Sequence, residues 1–329
     1  MLWCLERELV LRGVATTVAA CEGSSVSGEL LSTGAAPGEP DRFDLREREH
    51  SESVVRLCRQ RSFALLHDKS GHFWRHAARV PCPVLATLHL PRSFYPPELF
   101  DAVAPNVFFN CVSDSQANEF RDLPNFLGVV ANGIALERFT FSTVKQDYLL
   151  WVGRICPEKG THLALEVARQ LGMKLVVAGA VYPFSWHREY FEREVHPRLE
   201  AAGSMAEFVE SPTFARKVEL LGQARALLIP TLAPETSSLV AMESMACGTP
   251  VVAFANGALP EVVAHGKTGF LVNDFDAMVS SVRRVDSIDP QECRAHVEAR
   301  FDSSRMADGY ERLYAMARER ARKPVARVN

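Results

Sequence analysis

The stretch ALLIPTLAPETSSLVAMESMACGTPVVAF, residues 226–254, decides the fold because it holds a strand, a loop, a short helix and a second strand in direct succession. The apolar runs 226–229 and 251–254 predict two buried strands. Between them, Ser237 or Ser238 suits the N-cap of a helix, and Gly248 is a typical helix end. Buried strands that alternate with helices indicate a parallel sheet with helices on its faces, so the sequence predicts an α/β fold.

The same alternation extends in both directions from this stretch. On either side within the second half, the pattern predicts strands at 148–152, 174–178, 207–209 and 270–272, and helices at 162–171, 188–200 and 215–224. Pro197 is expected to interrupt the helix in which it lies. The first half predicts a helix from Leu2, a strand at 14–20, an irregular loop at 22–44, a charged helix at 45–60, and strands at 63–66, 83–88, 107–112 and 127–131.

The pattern breaks near 132–133 and resembles a linker at 139–146. We therefore expect a first Rossmann-like domain at 1–141 and a second at 142–303. A helical segment at 304–329, with a basic tail, would cross back onto the first domain. Ligands of such sheets bind beyond the carboxyl ends of the strands, and a pair of such domains would place a ligand in the cleft between them.

Composition limits the classes of function that remain. The 329 residues are 47% hydrophobic, which is enough for two cores, and the formal net charge of −3 argues against a nucleic-acid partner. The eight cysteines form no C-x-x-C pair, so the sequence predicts neither a zinc site nor a disulfide framework. No apolar run reaches the length of a membrane span and no signal peptide precedes the first helix, so we expect a cytoplasmic protein.

Two glutamates, Glu235 and Glu243, lie at the mouth of the helix in the opening stretch. If both were helical, they would lie about 12 Å apart along the axis and about 80° apart around it. One carboxylate could then reach a sugar ring and the other a ribose, while the free N–H groups of the helix N-terminus bind phosphates. Taken alone, two glutamates at this spacing are more often a solvated helix face.

Two cations precede them in the segment WVGRICPEKG, residues 151–160. Arg154 and Lys159 lie in the loop after the first predicted strand of the second domain. A loop at this place can direct a guanidinium and an ammonium at a diphosphate, where they would stabilise the charge that grows on a leaving phosphate. The alternative is two surface cations in a turn.

His89 ends the segment VLATLH, residues 84–89, at the carboxyl end of a predicted strand of the first domain. It could hydrogen-bond a sugar hydroxyl or carry a proton, or else simply cap the strand end.

We interpret His67 as structural. Asp274 and Asp276 match a D-x-D metal pattern, but a helix N-cap explains them as well, and we predict no metal.

The segment 56–79 is rich in basic residues, with aromatic residues among them. One hypothesis is peripheral contact with an anionic membrane at the inner face, or with an acidic acceptor. The commoner explanation of such a pattern is a solvated helix face.

Several motifs in fixed order make the chain resemble the retaining glycosyltransferases of group 1, also called family four, which have the GT-B fold. The resemblance covers nearly the whole chain and is strongest over residues 148–272. The matching segments are GRICPEKG at 153–160, ALLIP at 226–230, the two glutamates, ACGTPVVA at 246–253, GALPE at 257–261 and GKTGFLV at 266–272, with weaker matches at 112–116 and 131–139. This family has two Rossmann-like domains whose parallel sheets face a central cleft.

The resemblance implies a role for each matched position. Arg154 and Lys159 would bind the donor diphosphate, and Gly153 would take part in substrate binding. Glu235 would contact hydroxyls of the donor sugar, and Glu243 would bind the ribose hydroxyls. The backbone N–H groups near Ser238 and Leu239 would bind phosphate and sugar, and His89 would face the donor sugar. It also implies transfer to a glycan, lipid or small-molecule hydroxyl with retained configuration, in which the leaving phosphate takes the acceptor proton. No cofactor or metal would be needed, and UDP and GDP donors both stay open.

The sequence departs from the family pattern in two places. Ser238 stands where the family often has glycine, and a side chain there would crowd a phosphate. The family also begins with a strand and a Gly-Gly loop ahead of the first helix, whereas Met1 lies in or beside that helix. Three hypotheses therefore stay open: a hexose-type transferase, a truncated non-catalytic protein that binds a nucleotide sugar, and a nucleotide-sugar epimerase of the same fold. The oligomeric state stays open as well.

Overall fold

The computed structural model describes residues 1–36 and 43–322. The chain forms two compact units, Met1–Gly133 with Ser303–Asn329, and Ile134–Asp302. The structural divisions thus fall after residues 133 and 302, beside the divisions at 141 and 303 expected from the sequence. The end of the predicted basic tail lies outside the described residues, and so does part of the predicted loop at 22–44.

Strands and helices alternate along most of the described chain. The strands are β1 Thr17–Ala20, β2 Glu29–Ser32, β3 Leu66–Asp68, β4 Val84–Thr87, β5 Val107–Cys111, β6 Phe126–Val129, β7 Tyr148–Arg154, β8 Lys174–Ala180, β9 Ala206–Glu210, β10 Ala226–Ile229, β11 Val251–Phe254 and β12 Gly269–Val272. The α-helices are α1 Leu2–Leu11, α2 Phe43–Gln60, α3 Asp114–Ala117, α4 Thr161–Leu171, α5 Ser185–Tyr190, α6 His196–Ala202, α7 Phe214–Gln223, α8 Leu239–Ala246, α9 Leu259–Val262, α10 Phe275–Val282, α11 Pro290–Arg300 and α12 Ser303–Arg322.

In the first unit, β3, β4, β5 and β6 form a parallel sheet in that order, and β1 pairs with β2 in a second parallel sheet. The loop predicted at 22–44 was wrong in part, because β2 lies within it. Only two of its four residues, Glu29–Ser32, are apolar, and the surrounding Gly- and Ser-rich sequence obscured so short a strand.

The core of the first unit uses aromatic packing and buried hydrogen bonds. Trp74 stacks on Phe100 and meets Phe109 edge-on. His67 is held between the Tyr314 hydroxyl, 2.8 Å from Nδ1, and the Thr87 hydroxyl, 2.7 Å from Nε2. Burial lowers the pKa of His67 well below its usual value, so the ring is neutral. The interpretation of His67 as a structural residue is confirmed.

In the second unit, six strands form one parallel sheet in the order β12-β11-β10-β7-β8-β9. Apolar residues of all six strands and of the surrounding helices make a single core. The interruption expected at Pro197 is confirmed, because a π-helical turn, Phe191–Val195, separates α5 from α6 just before it. Proline lacks the N–H of a regular helix, so the local break accommodates it.

Candidate functional site

The order of the second sheet directs attention to one place. Strands β7 and β10 are neighbours, but the chain leaves β7 toward β8 on one side and leaves β10 toward β11 on the other. The chain thus leaves these two strands in opposite directions, and ligands of such sheets bind at the carboxyl ends where this occurs. The sequence places Arg154 and Lys159 after β7, and Glu235 with the start of α8 after β10. The topology brings these two connections side by side.

Backbone contacts fix the turn that carries Lys159. The turn Pro157–Lys159 presents the Glu158 carbonyl, which accepts hydrogen bonds from Leu232 N at 2.8 Å and from Thr231 Oγ1 at 3.0 Å. Gly160 follows with φ of +64°, and a Cβ there would lie 2.1 Å from the Pro230 carbonyl oxygen. Only glycine permits both the left-handed backbone and this close approach. The loops after β7 and β10 are thus joined at the Glu158 carbonyl by one main-chain and one side-chain hydrogen bond.

Lys159 and Glu235 form an ion pair across these loops. The Glu235 side chain is 10% exposed, and its backbone bridges to Gly257, so that it lies in extended chain before α8 rather than in a helix. Lys159 Nζ carries three donors, and two remain after the bond to Glu235. The lysine can therefore hold the carboxylate and a phosphate oxygen at once.

Glu243 lies within α8 and pairs with Lys217 of α7, whose ammonium is 2.8 Å from both carboxylate oxygens. The spacing calculated for two helical glutamates does not apply, because α8 begins at Leu239 and leaves Glu235 outside. The sequence reasoning also missed Lys217. Its position in α7 gives no motif, and only the contact with Glu243 reveals its importance.

The N-terminus of α8 retains unused hydrogen-bonding groups. Ser238 occupies the N-cap position, as predicted, but its hydroxyl makes no capping bond, and the residue is only 3% exposed. Its φ of −107° is open to any residue, so the position does not require the glycine common in the family. The neighbouring Ser237 hydroxyl is buried and has no hydrogen-bond partner within residues 1–36 and 43–322. Free helix N–H groups with an unsatisfied hydroxyl suit an anion.

Arg154 is the last residue of β7, and its exposed guanidinium lies 5.7 Å from the centre of the Tyr182 ring. Gly153 precedes it in β7, where the strand pairs closely with β8: a Cβ on Gly179 would come within 2.0 Å of the Gly153 carbonyl oxygen. Burial lowers the pKa of His187, and the nearby Arg154 charge lowers it further. Arg154 thus ends its strand at the carboxyl edge of the sheet, near His187 and the Glu158 carboxylate.

His89 belongs to the first unit and follows β4. Its backbone N–H, like that of Leu90, donates to the Tyr95 hydroxyl. Burial, with the nearby Lys69 charge, lowers the pKa of His89 to about 3. The imidazole is neutral near pH 7, which suits a hydrogen bond to a hydroxyl better than proton transfer.

Contacts within the structure bear on the interpretations of Asp274 and of the basic segment 56–79. Asp274 Oδ1 accepts a hydrogen bond from Ala277 N at 2.8 Å, so Asp274 is the N-cap of α10, as the sequence indicated.

In the basic segment 56–79, three arginines form ion pairs with glutamates, namely Arg61 with Glu29, Arg75 with Glu47 and Arg79 with Glu52. These pairs favour a solvated face over a membrane-binding patch. No helix within residues 1–36 and 43–322 combines the length and apolar character needed to cross a bilayer.

The sequence profile of the family described as Glycosyl transferases group 1 matches residues 146–286, which include every proposed site residue of the second unit. The D-inositol 3-phosphate glycosyltransferase of Frankia alni is 34% identical over 187 residues, covering 50% of this chain and 44% of that protein. The glycogen synthase of Mycobacterium tuberculosis is 29% identical over 218 residues, covering 61% of this chain and 51% of that protein. The chain spans about half the length of these relatives.

Solved structures match over far more of the chain. The sucrose-phosphate synthase of Thermosynechococcus elongatus superimposes with a TM-score of 0.78 at 20% identity, over 95% of this chain and 91% of that one. Anabaena Alr3699/HepE, in complex with UDP and glucose, gives a TM-score of 0.75 at 16% identity, over 95% of each chain. These likenesses establish the GT-B fold. The profile match, in turn, identifies residues 146–286 as a group 1 glycosyltransferase domain within this fold.

Proposed function

We propose that the chain transfers a sugar from a nucleoside diphosphate to a hydroxyl acceptor with retention of anomeric configuration. The observation that carries this proposal is the arrangement at the carboxyl ends of β7 and β10, where cations, an acid and an open helix N-terminus meet at the switch point of the sheet. The family supports the reaction class, and the solved HepE complex holds UDP and glucose in a protein of the same fold.

The diphosphate of the donor would take the positive end of this arrangement. Arg154 offers a planar fork of donors, Lys159 offers two remaining N–H groups, and α8 offers its first backbone N–H groups with the unpaired Ser237 hydroxyl. As the bond to the sugar breaks, negative charge grows on the β-phosphate. These fixed groups stabilise that charge more strongly than they stabilise the intact donor.

The two glutamates would bind hydroxyls at opposite ends of the donor. Glu235 would accept hydrogen bonds from donor-sugar hydroxyls while the ion pair with Lys159 holds its carboxylate in place. Glu243 has about four acceptor sites, of which Lys217 uses two, so the ribose hydroxyls can use the others. The helix thus links sugar recognition at its start with ribose recognition one to two turns further on.

The acceptor proton would pass to the leaving phosphate on the same face of the sugar, so no side chain needs to act as the base. The neutral state of His89 is consistent with a hydrogen-bonding role toward the sugar. This step needs no metal ion, in line with the expectation from the family resemblance.

The proposal is tested by incubating the full chain with a panel of UDP- and GDP-sugars. We expect nucleoside diphosphate release that rises with a suitable glycan, lipid or small-molecule acceptor, and a product whose NMR spectrum shows the anomeric configuration of the donor. Binding of a nucleoside diphosphate by calorimetry without transfer would overturn the proposal in favour of a non-catalytic protein. An epimerised donor in the absence of acceptor would overturn it in favour of an epimerase.

Replacement of Glu243 by alanine is expected to raise the KM for the donor about 10- to 100-fold with little change in kcat, because loss of a charge-assisted hydrogen bond costs about 1.5–3 kcal/mol of binding. Steady-state kinetics at varied donor concentration measures both constants. Glu219→Ala is the matched control, since Glu219 pairs with Arg216 on the exposed side of α7. A KM that rises equally in both variants would exclude a ribose contact at Glu243.

A further inference from the structure

Three side chains beside the turn Pro157–Lys159 form a cluster that the proposed transfer reaction does not use. Cys156 and Glu158 come from the loop after β7, and His187 comes from α5. Their ligand atoms, a sulfur, a carboxylate oxygen and a ring nitrogen, all lie within 4.8 Å of one another. Among residues 1–36 and 43–322, this is the one group of three or more such side chains placed closely enough to share a metal ion.

The cluster has hydrogen-bonding groups that the protein leaves unused. His187 is only 3% exposed, and its Nδ1 is buried without a hydrogen-bond partner within the described chain. The Glu158 Oε2 is buried without a partner as well. Buried polar atoms in folded proteins are almost always satisfied, so two unsatisfied atoms in one cluster point to a ligand that would satisfy both.

We propose that Cys156, Glu158 and His187 bind one Zn²⁺ ion. Thiolate, imidazole and carboxylate are the ligands that zinc takes in proteins, whereas Mg²⁺ and Ca²⁺ prefer sites made only of oxygen. Zinc ligands in a tetrahedron lie about 3.5 Å apart, given bond lengths of about 2.0–2.3 Å. The three side chains would close by on the order of 1 Å around the ion, and the fourth position would hold water or an anion.

The proposed zinc site lies next to the loop that is proposed to bind the donor. Arg154 is two residues before Cys156, and Lys159 follows Glu158 directly. A bound ion would fix the start and the middle of the turn that carries Lys159 and would add positive charge near Arg154. Zinc would therefore stabilise the loop that carries Arg154 and Lys159 without taking part in the transfer step.

The test uses the full chain, treated with a chelator and kept reduced, and titrated with Zn²⁺ by calorimetry and with Co²⁺ by absorption spectroscopy. We expect one Zn²⁺ per chain and a thiolate-to-cobalt charge-transfer band. Cys156→Ser should abolish the band. Both Cys156→Ser and His187→Gln should weaken zinc binding by more than about 100-fold, since loss of an outer-shell partner alone costs about 10- to 100-fold.

The matched control is Cys293→Ser. Cys293 is a buried thiol of the same unit that lies near a backbone carbonyl, as Cys156 does, but it belongs to no metal-ligand cluster. Cys58→Ser is a second control, because Cys58 and Cys82 form a neighbouring thiol pair in the first unit. Both controls should retain the zinc and cobalt signals.

Three results would overturn the proposal: no stoichiometric zinc binding by the unaltered chain, binding that persists in Cys156→Ser and His187→Gln, or binding that is lost in Cys58→Ser. Circular dichroism checks that each variant folds. If Cys156→Ser does not fold, His187→Gln decides the question alone. Because metal content and the cobalt spectrum are measured without donor or acceptor, the result is independent of the proposed transferase activity.

Discussion

Replacement of Arg154 by alanine is expected to lower kcat by about 100- to 1,000-fold, the loss typical when one preorganised group that stabilises a developing oxyanion is removed. Arg154 ends β7 at the switch point of the sheet, and its guanidinium is exposed beyond the carboxyl end. It would oppose the charge that appears on the β-phosphate during bond cleavage. The effect therefore falls on kcat more than on donor affinity.

Steady-state kinetics with the donor identified by the panel measures this loss. Arg193→Ala is the control, because Arg193 is an exposed arginine of the same unit that pairs with Glu189 on a helix surface. It should retain kcat within about twofold, as expected for a surface pair. Arg154→Lys separates charge from shape: partial recovery is expected, since an ammonium provides charge without the planar fork. Equal kcat in Arg154→Ala and the unaltered chain would remove Arg154 from the site.

Replacement of Gly160 by alanine is the second change with a large expected effect. The added Cβ would lie 2.1 Å from the Pro230 carbonyl oxygen, in a residue whose φ is +64°. The left-handed backbone costs an L-residue about 1–2 kcal/mol, and overpacking against a fixed backbone atom adds about 1–3 kcal/mol. We expect the free energy of unfolding to fall by about 2–5 kcal/mol, and kcat to fall because the turn that carries Lys159 is displaced.

Gly172 gives a closely matched control for this experiment. It has the same φ of +64° and ends the helix that Gly160 begins, but a Cβ on Gly172 meets nothing within 4 Å. Gly172→Ala should therefore cost only the backbone strain, about 1–2 kcal/mol, and leave kcat unchanged. Urea denaturation measures both stabilities. Equal destabilisation by the two variants would show that the contact with Pro230 contributes nothing.

The sequence predicted the alternating architecture because long apolar strands and helical periodicity are local signals. Strand β11 was predicted with its observed ends, 251–254, between a Gly-Thr-Pro turn and a polar loop. Strand β2 was missed because four residues in a Gly- and Ser-rich segment carry too little pattern. Its pairing with β1 depends on tertiary context, which local reasoning does not contain.

The candidate site was predictable as a set of positions but not as a set of partners. Arg154, Lys159 and both glutamates were found from motif order. The pairing of Lys159 with Glu235 joins residues 76 positions apart, and that of Glu243 with Lys217 joins residues 26 positions apart. Neither separation has a local signature. The cluster of Cys156, Glu158 and His187 was missed for the same reason, because its histidine comes from a different helix.

The link between the turn Pro157–Lys159 and the end of β10 determines which substitutions position 232 tolerates. One of its two hydrogen bonds joins the main chains of Leu232 and Glu158, while the Leu232 side chain is largely exposed. Most side chains at position 232 would leave that bond intact, so this position can vary without loss of the bond. Proline is the exception, since it has no N–H to donate.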